Sequence, residues 1–252
     1  MLRMEQVSAG YGREPVIEEI SVDFAGGEIT AIIGPNGSGK STLMKSVMDL
    51  CDVLRGKITL DDRERKEVTD REFAKKVAYL PQIHTAGAIS TERMVLHGRF
   101  PYLSYPRHYG AEDYALCHQA MERIGILHLK GKKMEELSGG ERQKVYLAMM
   151  LVRDADIYLF DEPTTYLDVR YQVELLALMQ ELKKQGKTVI AVLHDINSAL
   201  RMADHVLVME CGRIAAFGDS TQIYESGILN EVFGVTLRRF LDETGKAYYF
   251  VA

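Results

Sequence analysis

The sequence predicts an α/β fold: a mainly parallel sheet covered by helices and interrupted by a helical insert. Three observations carry this. Over most of the 252 residues, short apolar runs with the character of buried strands alternate with segments of helical periodicity. Between residues 84 and 136 the strand signals disappear and helical periodicity takes over. A glycine-rich stretch at 34–41 stands between an apolar strand and a helix, the context that a phosphate-binding loop requires.

The elements follow in order. Strand-like segments occupy 2–7 and 16–24, and Gly26-Gly27 makes a turn. Residues 28–34 read as a buried strand because Ile29, Ala31, Ile32 and Ile33 make it almost continuously apolar. A helix is expected at 39–50 and another strand at 56–60. The run 61–76 is densely charged and mixed in sign, which suits a solvated loop and helix face. Residues 77–81 form a short buried strand. Within the insert, 91–98 and 111–125 are helices. The Pro-, Gly- and aromatic-rich GRFPYLSYPRHYG between them is a loop. Alternation then resumes with helix 139–152, strand 156–161, helix 169–185 and strand 187–193. A short helix at 196–203 leads to strands 206–210 and 213–217. The tail, 221–252, ends in strand-like VTLRRFL and AYYFVA and is too short for a separate regulatory domain.

Composition narrows the function classes. Hydrophobic residues at 46% and charged residues at 27% suit a globular chain with a normal core. A net charge of -5 does not advertise a nucleic-acid surface, which usually needs a basic stripe. No apolar run approaches the roughly 18 residues needed to cross a bilayer, so work at a membrane calls for another subunit to supply the spans. The N-terminus lacks the apolar segment of a signal peptide. Cys51, Cys117 and Cys211 are far apart and form no C-x-x-C pair, which suits apolar filler in a reducing compartment.

The sharpest motif is Gly34-Pro35-Asn36-Gly37-Ser38-Gly39-Lys40-Ser41, a match to G-x-x-x-x-G-K-[ST]. Its glycines let backbone N–H groups turn toward a polyphosphate without Cβ clashes. The helix starting near Lys40 adds the positive end of its dipole. Lys40 offers a point charge to the β- and γ-phosphates, Ser41 a hydroxyl to Mg²⁺, and Thr42 a further cap on the phosphates. Downstream, the apolar strand IYLF ends in Asp161 and Glu162. Acids at the carboxyl end of a parallel strand face the ligand crevice. Asp161 is the candidate Mg²⁺ carboxylate and Glu162 the candidate to polarise an attacking water. A second helix start, Leu137-Ser138-Gly139-Gly140-Glu141, has an N-cap serine and two glycines that leave its end open to an anion. Two phosphate-binding helix ends with one set of acids suggest that the second end completes a site on another copy.

Together these motifs resemble the ATP-binding subunits of ABC transporters over nearly the whole chain. The order matches: GPNGSGKS, a glutamine after a short strand, LSGGERQ, IYLFDEP, a D-loop, and a histidine after the next strand. The resemblance implies a P-loop NTPase fold in a single domain, 1–252. It has a mainly parallel central sheet, an antiparallel β portion at the N-terminal side and a helical subdomain inserted at 84–136. It also implies further roles: Tyr11 stacks on adenine, Gln82 contacts Mg²⁺ and senses the partner, His194 contacts the γ-phosphate, and Asp168 speaks to the opposite site. Lys40, Gln82, Glu162 and His194 form the implied catalytic set. Ser138, Gly139 and Gly140 face the phosphates of the other protomer in a head-to-tail homodimer. Tyr166, where many members have a small residue, resembles the branch that imports iron–siderophore complexes, haem or vitamin B12. The implied partners are polytopic membrane permease subunits and, indirectly, a substrate-binding protein, with the chain peripheral on the inner face of the cell membrane. The alternative is a soluble ABC ATPase of iron–sulfur cluster assembly.

Overall fold

In the computed structural model, which describes residues 1–81, 88–163 and 169–252, the chain begins with a β-hairpin. Strands β1 (Leu2–Tyr11) and β2 (Glu14–Phe24) are joined at Gly12, whose φ of 76° a side chain would strain. After β3 (Ile29–Ile33) come the glycine-rich loop and helix α1 (Lys40–Val47), then β4 (Asp52–Leu60) and the short β5 (Arg63–Glu64). Helix α2 (Asp70–Lys76) starts at Thr69, which accepts from Glu72 N in a capping box, and leads into β6 (Val77–Leu80).

Residues 88–136 contain only helices and turns apart from one isolated bridge, Ser90 to Lys133. Here lie α3 (Thr91–Leu96) and α4 (Ala111–Arg123). The expected loop between them is partly ordered as a 3₁₀ turn, His97–Tyr102. The second half then alternates. It runs through α5 (Gly139–Leu151), β7 (Ile157–Asp161), α6 (Val169–Lys184), β8 (Thr188–Val192) and α7 (Ile196–Met202). Next come β9 (His205–Glu210) and β10 (Arg213–Gly218). The tail adds α8 (Ser220–Glu225), α9 (Ile228–Phe233) and a hairpin of β11 (Leu237–Leu241) and β12 (Ala247–Val251).

Among the described residues, the central sheet has the order β10-β9-β3-β8-β7-β6 and is parallel except for β10. A separate antiparallel sheet, β2-β1-β4-β5, lies at the N-terminal side. β4 begins four residues before the apolar signal at 56–60, because its exposed first half pairs with β1. Backbone pairing continues where side-chain patterning has already stopped.

The alternation of side chains along each strand divides the core in two. Ile32, Leu159, Ile190, Val192 and Leu207 face α1 and the antiparallel sheet. Ala31, Tyr158, Phe160, Ala191 and Val208 face the helices of the other layer, including α5 and α6. In β7, odd-numbered Ile157 and Leu159 point to the α1 side, so the same parity sends Asp161 toward α1.

The helical insert is seated closely on the rest. A Cβ built on Gly98 would stand 2.1 Å from Met149 O and 2.4 Å from Val152 Cγ1, at the end of α5. The backbone oxygen cannot swing aside as a flexible side chain would. Gly98→Ala is therefore expected to destabilise the protein by about 1–3 kcal/mol, the usual range for overpacking. Urea unfolding at equilibrium checks this, and an unchanged midpoint contradicts it.

Candidate nucleotide site

The site grows from the carboxyl ends of β3, β7 and β8, adjacent parallel strands of the central sheet. β3 is buried throughout and delivers the chain to Gly34. There β9 is so close that a Cβ on Gly34 would lie 2.2 Å from Met209 O. Gly37 and Gly39 follow with φ of 80° and 97°, the left-handed region that favours glycine. Helix α1 starts directly after Gly39 with no side-chain cap, so its first N–H groups remain open to an anion. Inside the loop, Ser38 Oγ is buried without a hydrogen-bond partner among the described residues. An orphaned buried hydroxyl in a nest of backbone N–H groups suits a ligand that brings acceptors.

Lys40 is 4% exposed, and its Nζ donates to Gly34 O at 2.9 Å and Pro35 O at 2.8 Å. The ammonium thus lies across the loop, held by the loop's own carbonyls. Burial lowers its pKa, and the charges of Glu162 and Asp161 oppose that shift. Ser41 Oγ donates to Asp161 Oδ1 at 2.8 Å, joining the first turn of α1 to the end of β7. Thr42 is buried beside them. Asp161 is 1% exposed, and burial pushes its pKa up while the Ser41 and Tyr79 hydroxyls hold it down. A carboxylate and a hydroxyl at this depth form an oxygen donor set that suits a hard cation such as Mg²⁺. Among the described residues there is no group of three or more His, Cys, Asp or Glu that could hold a metal ion.

Glu162 follows Asp161 and takes φ 51°, unusual for a residue with a side chain. Strain of this kind persists where surrounding structure dictates it. Glu162 Oε2 lies 2.8 Å from His194 Nε2, which stands two residues beyond the end of β8. Asp161 pairs with Val192 in register, so the histidine reaches past the strand ends to the acid's level. Asn36, Gly37, Gly39, Lys40, Ser41, Thr42 and Glu162 line one cleft of about 160 Å³. Phosphate loop and base-type acid therefore share one cleft, and the cation-type acid Asp161 joins it through Ser41.

The remaining expected residues distribute differently. Tyr11, at the end of β1, is exposed and does not line that cleft. It is tied to α1 through Lys45, whose Nζ stands 5.9 Å from the ring centroid, and Asp52 Oδ2 accepts from the next backbone N–H, that of Gly12, at 3.1 Å. Ser138, Gly139 and Gly140 are exposed at the start of α5. Ser138 and Gly140 line another cleft of about 590 Å³, with Lys144, Arg170 and Glu174. Ser138 Oγ donates to Glu141 Oε2 at 2.7 Å and accepts from Glu141 N at 3.3 Å. The second helix end thus lines a different cleft from the phosphate loop. Gln82, Tyr166 and Asp168 lie outside the described residues.

Sequence reasoning missed Lys45, Asp52 and Tyr79. Tyr79 left a faint signal, as the polar residue of an otherwise apolar strand, VAYL. Lys45 and Asp52 left none, because their contacts with Tyr11 and Gly12 exist only once β1, α1 and β4 have packed together.

Comparison with known proteins gives one answer. A model of the ABC transporter family matches residues 17–165. The ferric enterobactin transport ATP-binding protein of Escherichia coli (strain K12) is 38% identical over 236 residues, covering 93% of this chain and 87% of that protein. The iron(3+)-hydroxamate import ATP-binding protein of Bacillus subtilis (strain 168) is 34% identical, covering 93% of this chain and 88% of that protein. The hemin import ATP-binding protein of Rhodococcus jostii (strain RHA1) is 37% identical, covering 92% and 80%. Among solved structures, a metal-chelate type ABC transporter in an inward-facing conformation superposes with a TM-score of 0.84 at 25% identity. It covers 100% of this chain and 97% of its own. The chain belongs to the ABC transporter family and is an ATPase of that family.

Proposed function

We propose that this ATPase drives an importer of iron–siderophore, haem or cobalamin-type chelates. The observation that carries the chemistry is the shared cleft of Lys40, Ser41 and Glu162, with Glu162 at 2.8 Å from His194. The cargo class is supported by relatives that cover more than nine-tenths of this chain and whose names specify ferric enterobactin, iron(3+)-hydroxamate and hemin. None of these names favours iron–sulfur cluster assembly.

In this reading the loop 34–41 wraps the phosphates of ATP, and Lys40 moves its ammonium from the loop carbonyls to the β- and γ-phosphates. Ser41 and Asp161, with Gln82, would hold Mg²⁺, which supplies charge neutralisation on the phosphates. Glu162 accepts a proton from the attacking water, and His194 positions Glu162 and the γ-phosphate. Tyr11 stacks on the adenine. A second protomer approaches head to tail, so that Ser138, Gly139 and Gly140 of each cover the nucleotide of the other, with Asp168 at the junction. Catalysis in such a site is mostly positioning and charge stabilisation. Hydrolysis then reopens the dimer, and the motion passes to the permease by way of the segment around Gln82 and the helical subdomain 84–136. Among the described residues no helix is long and apolar enough to cross a membrane. In this reading a permease supplies the spans and the chain sits on the inner face of the cell membrane.

A pull-down of the tagged chain from detergent-solubilised cells, followed by mass spectrometry, tests the assignment. A polytopic membrane protein is expected, and a substrate-binding protein encoded beside it identifies the cargo class. Recovery of soluble cluster-assembly proteins alone overturns the importer and leaves the ATPase chemistry standing.

A further inference from the structure

We propose that Tyr79 is a positioning residue for Asp161: its hydroxyl holds one carboxylate oxygen so that the other stays aimed at Ser41 and the cation of a bound nucleotide. The inference rests on the reading of Asp161 as the cation-binding acid, and it adds a residue that no motif marks.

β6 runs parallel to β7, and Tyr79 pairs with Leu159, two residues before Asp161. Side chains at 159 and 161 share one face of the sheet, and Tyr79 packs against the same core as Leu159. The ring therefore lies on the α1 side, one strand over from the acid. From there its hydroxyl donates to Asp161 Oδ2 at 3.1 Å, while Ser41 Oγ donates to Oδ1 at 2.8 Å. The two oxygens of one buried carboxylate are thus held by two elements, β6 and α1. Each donor restrains rotation of the carboxylate about its bond to Cβ.

Burial points the same way. Asp161 loses nearly all its water, so its two oxygens need donors from the protein. Packing alone would be served by phenylalanine, which has the same ring. The hydroxyl is what makes tyrosine specific here.

Partners that orient a cation ligand typically alter cation affinity by about 10–100-fold when removed. The variant is Tyr79→Phe, which keeps the ring and loses only the hydroxyl. The probe is Mn²⁺, titrated into protein saturated with a non-hydrolysable ATP analogue and followed by the electron paramagnetic resonance of free Mn²⁺. Affinity for Mn²⁺ is expected to fall by about tenfold or more. Binding of the analogue without a divalent cation should be unchanged, which a general loss of structure would not allow. The Mg²⁺ concentration for half-maximal turnover should rise in parallel, with most of kcat recovered at saturating Mg²⁺. Unchanged Mn²⁺ affinity in Tyr79→Phe, alongside a clear loss in Asp161→Asn, overturns the role of Tyr79 and leaves Asp161 in place. Unchanged affinity in both variants removes Asp161 as the cation-binding acid, and this inference with it.

Discussion

Glu162→Gln is expected to bind ATP as the parent does and to turn it over at least about a hundredfold more slowly, the lower end of what a positioned general base contributes. The substitution is nearly isosteric, so the left-handed backbone at Glu162 and the approach of His194 should both survive. What disappears is the proton acceptor. One negative charge is also removed from a cleft built to receive a polyphosphate. Both effects favour an ATP-loaded state that cannot proceed. A dimer should therefore accumulate with ATP and Mg²⁺ and dissociate when nucleotide is withdrawn, as size-exclusion chromatography with light scattering would show. Turnover at the parent rate would remove Glu162 from its assigned role. Slow turnover with no dimer would keep the base and count against the composite site.

Lys40→Ala is expected to lose nucleotide affinity as well as turnover. The ammonium is buried and already satisfied by two loop carbonyls, so the protein can hold it in the loop before the phosphates arrive. A hydrogen bond to a charged group is worth about 1.5–3 kcal/mol, which corresponds to roughly 10–150-fold in affinity. The contribution should be larger in the transition state, where charge shifts onto the leaving oxygen, and about 100–1,000-fold in kcat is the expected further loss. Isothermal titration with ATP and a steady-state phosphate-release assay separate the two. Full affinity with full turnover would place the catalytic cation elsewhere. Glu162→Gln should bind ATP and stall, whereas Lys40→Ala should bind it weakly.

Much of this architecture is legible in the chain because its signals are local. The run Ile29, Ala31, Ile32, Ile33 declares a strand buried on both faces, and the six-stranded sheet places it between β9 and β8. Gly37 and Gly39 declare a turn that side chains would strain, and their φ values are positive. The ends of elements were less legible. The helix expected to 50 stops at Val47, and the charged run 61–76 holds a helix that buries Phe73. Ends are set by capping and by contacts with other segments rather than by periodicity.

The amino-acid order alone determined which residues carry the chemistry, because phosphate binding demands glycines, a lysine and a hydroxyl at fixed spacing, and strand-end acids follow from an apolar run. It could not determine how those residues meet. That Asp161 turns toward Ser41 is decided by side-chain parity in β7 and by the placement of α1 on that face. That Glu162 reaches His194 depends on the register of β7 with β8 and on a left-handed turn. That Tyr79 holds Asp161 depends on β6 pairing with β7, residues 77–80 against 157–160. These are long-range pairings, and each is fixed by the burial of whole strand faces rather than by any short motif.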